Sequence, residues 1–275
     1  MPSGKKSKQA RRAAQSAPPP VTSKGSGRRR QASPRVLIAA VGGAVAVVVI
    51  VVLAVVLTGG GSGNSGLPKT IQTVGSLATG LPGSTDVNTL LKGIPQKGTT
   101  LGSAFAPVTM VEYIDLQCPI CQEFETTVMP DIIPKYVRTG KVRVEMRPWA
   151  FIGPDSVRGQ AAVLAAAKQN LAFNYAQVLY NNQGTENTGW LTDSMVYQIA
   201  ASVPGLNVPD LLAYRKSSTV KKEAATVADE AASDKVSGTP SVFVGKSDAK
   251  PAYVPLKNGG DEATLVLALD TALAG

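Results

Sequence analysis

The stretch VTMVEYIDLQCPICQEFE, residues Val108–Glu125, contains both cysteines of the chain, Cys118 and Cys121. Its first part is rich in β-branched and aromatic residues and predicts a strand. Pro119 follows Cys118 directly, and proline is favoured in the first turn of a helix because its missing N–H would have no partner there. The stretch therefore predicts a strand that leads into a helix, with Cys118 at the position that caps the helix.

Two cysteines three positions apart allow three interpretations: a metal site, a structural cross-link or a redox pair. A structural zinc site usually takes four Cys or His ligands. The chain has two Cys and no His, so we expect no metal site, although one shared between two chains remains an alternative. A cross-link that encloses two residues removes little entropy from the unfolded chain, so a purely structural bridge is a weak alternative.

The redox interpretation of the pair has a physical basis in the helix start. Unpaired N–H groups and the positive end of the helix dipole stabilise a thiolate, which is the nucleophile in disulfide exchange. Cys118 is then the nucleophile that forms a mixed disulfide, and Cys121, nearly one helical turn away, is the thiol that resolves it.

The charge of the chain is concentrated at its N-terminus. The formal net charge is +9, but residues 1–35 carry ten Lys or Arg and no acidic residue, while the rest carries 18 basic and 19 acidic residues. The basicity therefore belongs to a tail, and we expect no nucleic-acid partner. The tail lacks apolar periodicity and contains the run APPP, which predicts a disordered segment.

Residues Val36–Leu57 form an uncharged apolar run of 22 residues. Such a run is long enough to cross a bilayer, whereas the apolar part of a cleaved signal peptide is shorter. The excess of Lys and Arg before the run places the N-terminus in the cytoplasm. We therefore predict a single-pass protein of the cell membrane, with a cytoplasmic tail (1–35), a transmembrane helix in the lipid bilayer (36–57) and an extracytoplasmic remainder, where disulfides persist.

The remainder of the chain predicts an α/β domain interrupted by helices. Residues 58–94 contain recurring Gly and Pro and are typical of an extracytoplasmic linker. Residues 155–235 are rich in Ala and other helix formers and predict a helical block. Strand patterns lie at 105–115, 140–151, 238–246 and 251–256, and an amphipathic helix follows the last of them.

The segment EYIDLQCPICQEF, followed far downstream by GTPSVFVG, resembles the DsbA-like branch of the thioredoxin superfamily, whose members are extracytoplasmic thiol–disulfide oxidoreductases. The resemblance covers residues 95–275. It implies a thioredoxin fold with an inserted helical domain at about 155–235, here preceded by a single transmembrane helix.

The resemblance gives roles to three further residues. Pro240 occupies the position of a cis-proline that faces the active-site sulfurs, which leaves the backbone of Thr239 free to pair with an extended peptide. Glu112 corresponds to a buried acid that accepts the proton of the second cysteine. Strand alternation supports its burial, since Glu112 shares one face with Met110 and Ile114.

The dipeptide between the cysteines departs from the best-known member of this branch, which has histidine where this chain has Ile120. An isoleucine side chain can neither carry charge nor donate a hydrogen bond to a thiolate. We therefore expect the helix terminus and the backbone alone to stabilise the Cys118 thiolate. The resulting pKa should lie below that of a free thiol, but be less depressed than in strongly oxidising members.

These observations predict an enzyme that oxidises the cysteine pairs of exported proteins through Cys118 and Cys121. No cofactor is implied, because the disulfide is itself the redox group, and a membrane redox partner is needed for reoxidation. A disulfide reductase or isomerase remains an alternative, since the sequence does not set the direction of electron flow. A peptide-binding chaperone module is the second alternative.

Overall fold

The structure, a computed structural model, describes residues 66–275. The predicted basic tail (1–35) and the predicted transmembrane helix (36–57) lie outside the described residues. Within residues 66–275, none of the helices combines the length and the apolar character needed to cross a bilayer.

Six strands form one mixed sheet in the order β1-β2-β4-β3-β5-β6. The strands are Gln96–Lys97 (β1), Thr100–Leu101 (β2), Val108–Ile114 (β3), Val142–Pro148 (β4), Ser241–Lys246 (β5) and Ala252–Val254 (β6). β3 lies in the middle, parallel to β4 and antiparallel to β5. Its central place explains its composition, because every residue of β3 except Val111 is buried and both faces must pack against other elements.

The strand register gathers three segments at one edge of the sheet. Ile114, the last residue of β3, pairs with Pro148, the last residue of β4, and Tyr113 pairs with Ser241, the first residue of β5. The chain that follows β3, the chain that follows β4 and the chain that precedes β5 therefore lie side by side. The first of these contains both cysteines, and the third contains the predicted cis-proline.

The predicted linker at 58–94 is ordered over its described part, 66–94. Helix α1, Ser84–Leu91, buries Val87 and Leu91 against the domain. Upstream of it, Gly75 N–H donates to the Leu206 carbonyl at 2.8 Å. Gly and Pro in residues 66–94 therefore form turns between packed elements rather than a free tether.

A continuous helical segment, α2, covers residues 119–137 and begins directly after Cys118. It consists of α-helix Pro119–Glu123, π-helix Phe124–Val128, α-helix Met129–Ile132 and π-helix Ile133–Val137. The sequence predicts interruptions at Pro130 and Pro134, since a proline ring clashes with the carbonyl four residues earlier. The interruptions take the form of two π turns, which are wider than α turns and let the helix continue past both prolines.

Five helices lie between β4 and β5, in the stretch where the sequence predicts a helical insertion. They are Pro154–Ala167 (α3), Ala172–Asn181 (α4), Asp193–Ala201 (α5), Val208–Tyr214 (α6) and Ser218–Ser233 (α7). Small residues on α3 let these helices pack close to the segment that leads to Cys118. A Cβ at Gly159 would lie 2.5 Å from the Leu116 Cβ, so this glycine allows close packing two residues before Cys118.

Helices cover both faces of the sheet. The last helix, Glu262–Ala274 (α8), buries Leu265 and Leu269 and lies beside α2, where the Tyr136 hydroxyl donates to Asp270 at 2.8 Å. On the opposite face, Tyr113 packs with Ala231 of α7. The central strand is thereby removed from solvent on both sides, which gives the groups at its end a buried environment.

Candidate active site

The structure places Cys118 at the N-cap of α2 and Pro119 at its first position, as the sequence predicts. The Cys118 N–H donates to the Asp115 carbonyl at 3.1 Å, and its carbonyl accepts from the Gln122 N–H at 3.0 Å. Both cysteines are free thiols, with exposed fractions of 6% for Cys118 and 0% for Cys121. Cys118 is therefore the sulfur that a substrate can reach.

The pKa of the Cys118 thiol is lowered from 9.0 to about 6. The largest cause is a hydrogen bond from the Cys121 thiol, and the Thr239 side chain and the backbone N–H groups of Cys121 and Ile120 act in the same direction against the effect of burial. The expected direction is therefore confirmed, but the expected cause is wrong. The helix terminus and backbone do not act alone, because a neighbouring thiol and a distant hydroxyl also stabilise the thiolate.

The Cys121 thiol has the opposite shift. Its pKa is raised well above 9.0, first by burial and then by its hydrogen bond to Cys118 and by the charge on that residue. Near neutral pH the reduced pair is thus a Cys118 thiolate that accepts a hydrogen bond from a Cys121 thiol. The two sulfurs differ in the way that a nucleophile and a resolving cysteine must differ.

Thr239 and Pro240 lie against the sulfurs although 121 positions separate Thr239 from Cys118. The Thr239–Pro240 peptide bond is cis, as the resemblance implies. The Cys118 sulfur lies 3.4 Å from the Thr239 carbonyl oxygen. The Thr239 hydroxyl is buried with no hydrogen-bond partner among the described residues, and its proximity lowers the pKa of both thiols.

Glu112 is fully buried in the middle of β3, as the alternation of the strand predicts. Neither of its carboxyl oxygens has a hydrogen-bond partner among the described residues. Burial raises the pKa of this carboxyl from 4.5 to about 8, because a low-dielectric environment disfavours the charged form. The carboxyl is therefore mostly protonated at neutral pH and titrates just above it.

Glu125 is a second buried carboxyl that the sequence reasoning missed. One of its oxygens accepts a hydrogen bond from the Gln177 side chain, and the other has no partner among the described residues. Its pKa is raised well above the usual value, first by burial and then by the charge of Glu112. Its spacing was the available signal, since Glu125 follows Cys121 by four residues and so lies on the same face of α2.

The fold and the site together define a class: a thioredoxin-fold protein with a dithiol at a helix start and a cis-proline before β5. Within residues 66–275, no three His, Cys, Asp or Glu side chains form a group that could hold a metal ion. A family model described as thioredoxin matches residues 95–252, which is more than half of the chain. The chain therefore belongs to the thioredoxin family.

Known relatives narrow this class. Probable disulfide bond formation protein D of Bacillus cereus is 31% identical over 166 residues, which cover 59% of this chain and 77% of the relative. Disulfide bond formation protein D of Bacillus subtilis is 24% identical over 156 residues, which cover 56% and 68%. The crystal structure of oxidised BdbD from Bacillus subtilis has a TM-score of 0.57 at 20% identity and covers 76% of this chain and 100% of that chain. The chain is accordingly a DsbA-like thiol–disulfide oxidoreductase.

Proposed function

We propose that the chain oxidises cysteine pairs of exported proteins on the extracytoplasmic side of the membrane, through Cys118-Pro119-Ile120-Cys121. The observation that carries the proposal is the difference between the two thiols, since the pKa of Cys118 is lowered to about 6 and that of Cys121 is raised. A stabilised thiolate favours the reduced form of the pair. Its disulfide therefore accepts electrons from other thiols more readily.

In the proposed reaction the oxidised pair begins as a Cys118–Cys121 disulfide. A substrate thiolate attacks the Cys118 sulfur, the disulfide opens, and Cys121 leaves as a thiolate that takes up a proton. A second substrate thiolate attacks the substrate sulfur of the mixed disulfide and releases Cys118 as a thiolate. The substrate gains one disulfide and gives up two electrons to the pair. Of its two thiol protons, one goes to Cys121 and the other to solvent.

Glu112 is proposed as the group that exchanges the proton of Cys121. A general acid or base acts best when its pKa lies near the working pH, and the pKa of Glu112 is raised to about 8. Its two oxygens form no hydrogen bond with other described residues, so they are available to a thiol or to a water molecule. Replacing Glu112 by Gln should slow the first step, in which Cys121 leaves and takes up a proton. The attack of the second substrate thiolate on the mixed disulfide should be less affected.

Thr239 and Pro240 are proposed to hold the substrate peptide. The Thr239 carbonyl lies 3.4 Å from the Cys118 sulfur, so a peptide that is joined to Cys118 passes beside this backbone. Extended peptides bind through main-chain hydrogen bonds of this kind. A cis-proline after Thr239 leaves that residue outside the β5 ladder, where its backbone can pair with the substrate.

Membrane anchoring is a proposal from sequence, supported by the apolar run Val36–Leu57 and the basic residues before it. The bilayer and a membrane redox partner that reoxidises the pair are the implied associations. In intact cells, a membrane-impermeant maleimide should label the single thiol of a Cys121→Ser variant. Labelling that requires cell lysis would refute the orientation, and recovery of the full chain in the soluble fraction would refute the anchor.

The activity is tested by the reduction potential of the pair against a glutathione redox buffer and by two cysteine variants. We expect a potential well above that of the cytosolic glutathione pool, loss of activity in Cys118→Ser, and trapped mixed disulfides in Cys121→Ser. A potential near the cytosolic value would favour the reductase or isomerase. Full function without either sulfur would favour the chaperone module.

A further inference from the structure

Asp115 is a buried carboxyl that joins the turn before Cys118 to the segment after β4. One carboxyl oxygen accepts from the Gln117 N–H at 3.0 Å. The other accepts from the Phe151 N–H at 3.0 Å and the Ile152 N–H at 3.1 Å. These two N–H groups lie beyond the end of β4 and have no strand partner, so the carboxyl is the acceptor that fixes their segment.

The backbone of Asp115 makes a second set of contacts. Its carbonyl accepts from the Cys118 N–H at 3.1 Å and from the buried Tyr180 hydroxyl of α4 at 3.0 Å. One residue therefore sets the turn that carries the nucleophilic sulfur, and also holds the segment that includes Phe151. Because Ile114 pairs with Pro148 at the ends of two adjacent strands, these two segments start about 5 Å apart.

The segment after β4 presents an aromatic surface. The Trp149 and Phe151 rings are stacked, with centroids 4.5 Å apart and planes within 9°. Trp149 packs against the cluster that contains Phe243 of β5, whereas Phe151 is 45% exposed. Ile120, between the cysteines, is also 47% exposed, so apolar side chains face solvent on both the cysteine segment and the segment beside it.

We propose that Asp115 is a positioning residue that holds the Trp149–Phe151 pair in a fixed place relative to the Cys118 sulfur, and that this pair contacts an apolar side chain next to the reacting cysteine of the substrate. The inference rests on the proposed function. The group that contacts the aromatic pair is a cysteine-containing peptide of the substrate. When the substrate cysteine is joined to Cys118, the residues next to that cysteine lie only about 4 to 8 Å from it along the substrate chain. The exposed Phe151 ring, on the segment beside the cysteine turn, would select apolar neighbours there.

The first arm of the test compares two dithiol peptides that differ only in the residues flanking one cysteine, Leu and Phe in one and Ser and Gly in the other. The full chain in its oxidised form should show a higher kcat/KM for the apolar peptide. In Phe151→Ala the ratio of the two kcat/KM values should fall by about threefold to tenfold, the size of an aromatic contact. The control is Phe105→Ala, since Phe105 is a 95% exposed phenylalanine at the opposite end of β3, and its ratio should stay at the wild-type value.

The second arm replaces Asp115 by Asn. The Asn side chain has a single carbonyl oxygen, so it cannot accept the hydrogen bonds from Gln117 and those from Phe151 and Ile152 at the same time. The peptide ratio should fall as in Phe151→Ala, and the double variant should lose no more of the ratio than either single variant. A loss of stability alone would lower both kcat/KM values together and leave their ratio unchanged.

Each of the following outcomes would overturn the inference. The aromatic contact is refuted if an active wild-type chain shows equal kcat/KM for the two peptides, or if Phe151→Ala keeps the wild-type ratio. Both results can be obtained even when Asp115→Asn does not fold. A normal ratio in folded Asp115→Asn, or additive losses in the double variant, removes the positioning role. A wild-type chain inert to glutathione and to both peptides would instead refute the proposed function, and this inference with it.

Discussion

Glu112 makes the stability of the oxidised protein depend on pH in a way that can be calculated. Its carboxyl is fully buried without a hydrogen bond to other described residues, and its pKa is about 8 instead of 4.5. The folded state therefore keeps a proton that the unfolded state releases between pH 4.5 and 8. Because the unfolded state binds fewer protons in this window, the free energy of unfolding falls as the pH rises.

The size of the effect follows from the width of the window. Each pH unit between the two pKa values changes the free energy of unfolding by about 1.4 kcal/mol, so the whole window contributes about 5 kcal/mol. Glu125 acts in the same direction, since its pKa is also raised by burial. In Glu112→Gln the contribution of Glu112 is removed, and the buried amide is no better paired than the protonated carboxyl that it replaces. The variant should therefore be about as stable as the wild type near pH 5 and more stable near pH 8.

The assay is urea unfolding of the oxidised protein at a series of pH values. The oxidised form is needed because the Cys118 thiol, with a folded pKa of about 6 against 9.0, makes the reduced protein more stable as the pH rises through the same region. The chain has no His, so no ordinary side chain titrates inside the window. Glu123→Gln is the matched control, an exposed glutamate on α2. A wild-type stability that is flat or rising from pH 5 to 8, or a slope that Glu112→Gln leaves unchanged, would refute the reasoning.

Three further predictions concern the same site. Alkylation of reduced Cys118 by iodoacetamide should reach half its maximal rate near pH 6, since its pKa is about 6; a midpoint near that of free cysteine would contradict this. Thr239→Val should raise the pKa of Cys118, because the hydroxyl that stabilises the thiolate is lost. The measurement is the thiolate absorbance as a function of pH, and an unchanged midpoint would contradict the prediction. Gly259→Ala should destabilise the protein by about 1–3 kcal/mol, since its Cβ would lie 2.5 Å from the Ile120 carbonyl oxygen. Urea midpoints should show a smaller loss for Gly260→Ala, whose Cβ would meet only a flexible carboxyl tip at 3.1 Å.

Local patterns were sufficient to predict the main features around the cysteines. The proline after Cys118 predicts the helix start, and the alternation of β3 predicts that Glu112 shares a buried face with Met110 and Ile114. Alternation along β3 does not, however, show whether the other face of the strand is exposed. Tyr113 points to the other face and is 1% exposed, because β3 lies at the centre of a sheet that is covered on both sides. Periodicity alone does not distinguish such a strand from one with a solvent face.

The features that sequence reasoning missed depend on contacts that are distant along the chain or are set by packing. The order of residues 66–94 comes from burial of α1 against the domain, which the Gly and Pro content of this segment does not predict. Thr239 is 121 positions from Cys118, and its carbonyl oxygen lies 3.4 Å from the Cys118 sulfur. The effect of the Thr239 side chain on the pKa of Cys118 therefore requires the fold. Glu125 was the exception, since its four-residue spacing from Cys121 was visible in the sequence.

The two buried carboxyls bear directly on how the proposed reaction handles its proton. When the disulfide opens, Cys121 must be protonated, because burial raises the pKa of its thiol well above 9.0; when the disulfide closes, that proton must leave. Glu112 and Glu125 each have a raised pKa, and the charge of Glu112 raises that of Glu125 further. Two buried charges of the same sign oppose each other, so the pair retains a proton at neutral pH. In a chain without histidine, a carboxyl that burial has shifted to about pH 8 can perform the proton exchange for which proteins most often use an imidazole.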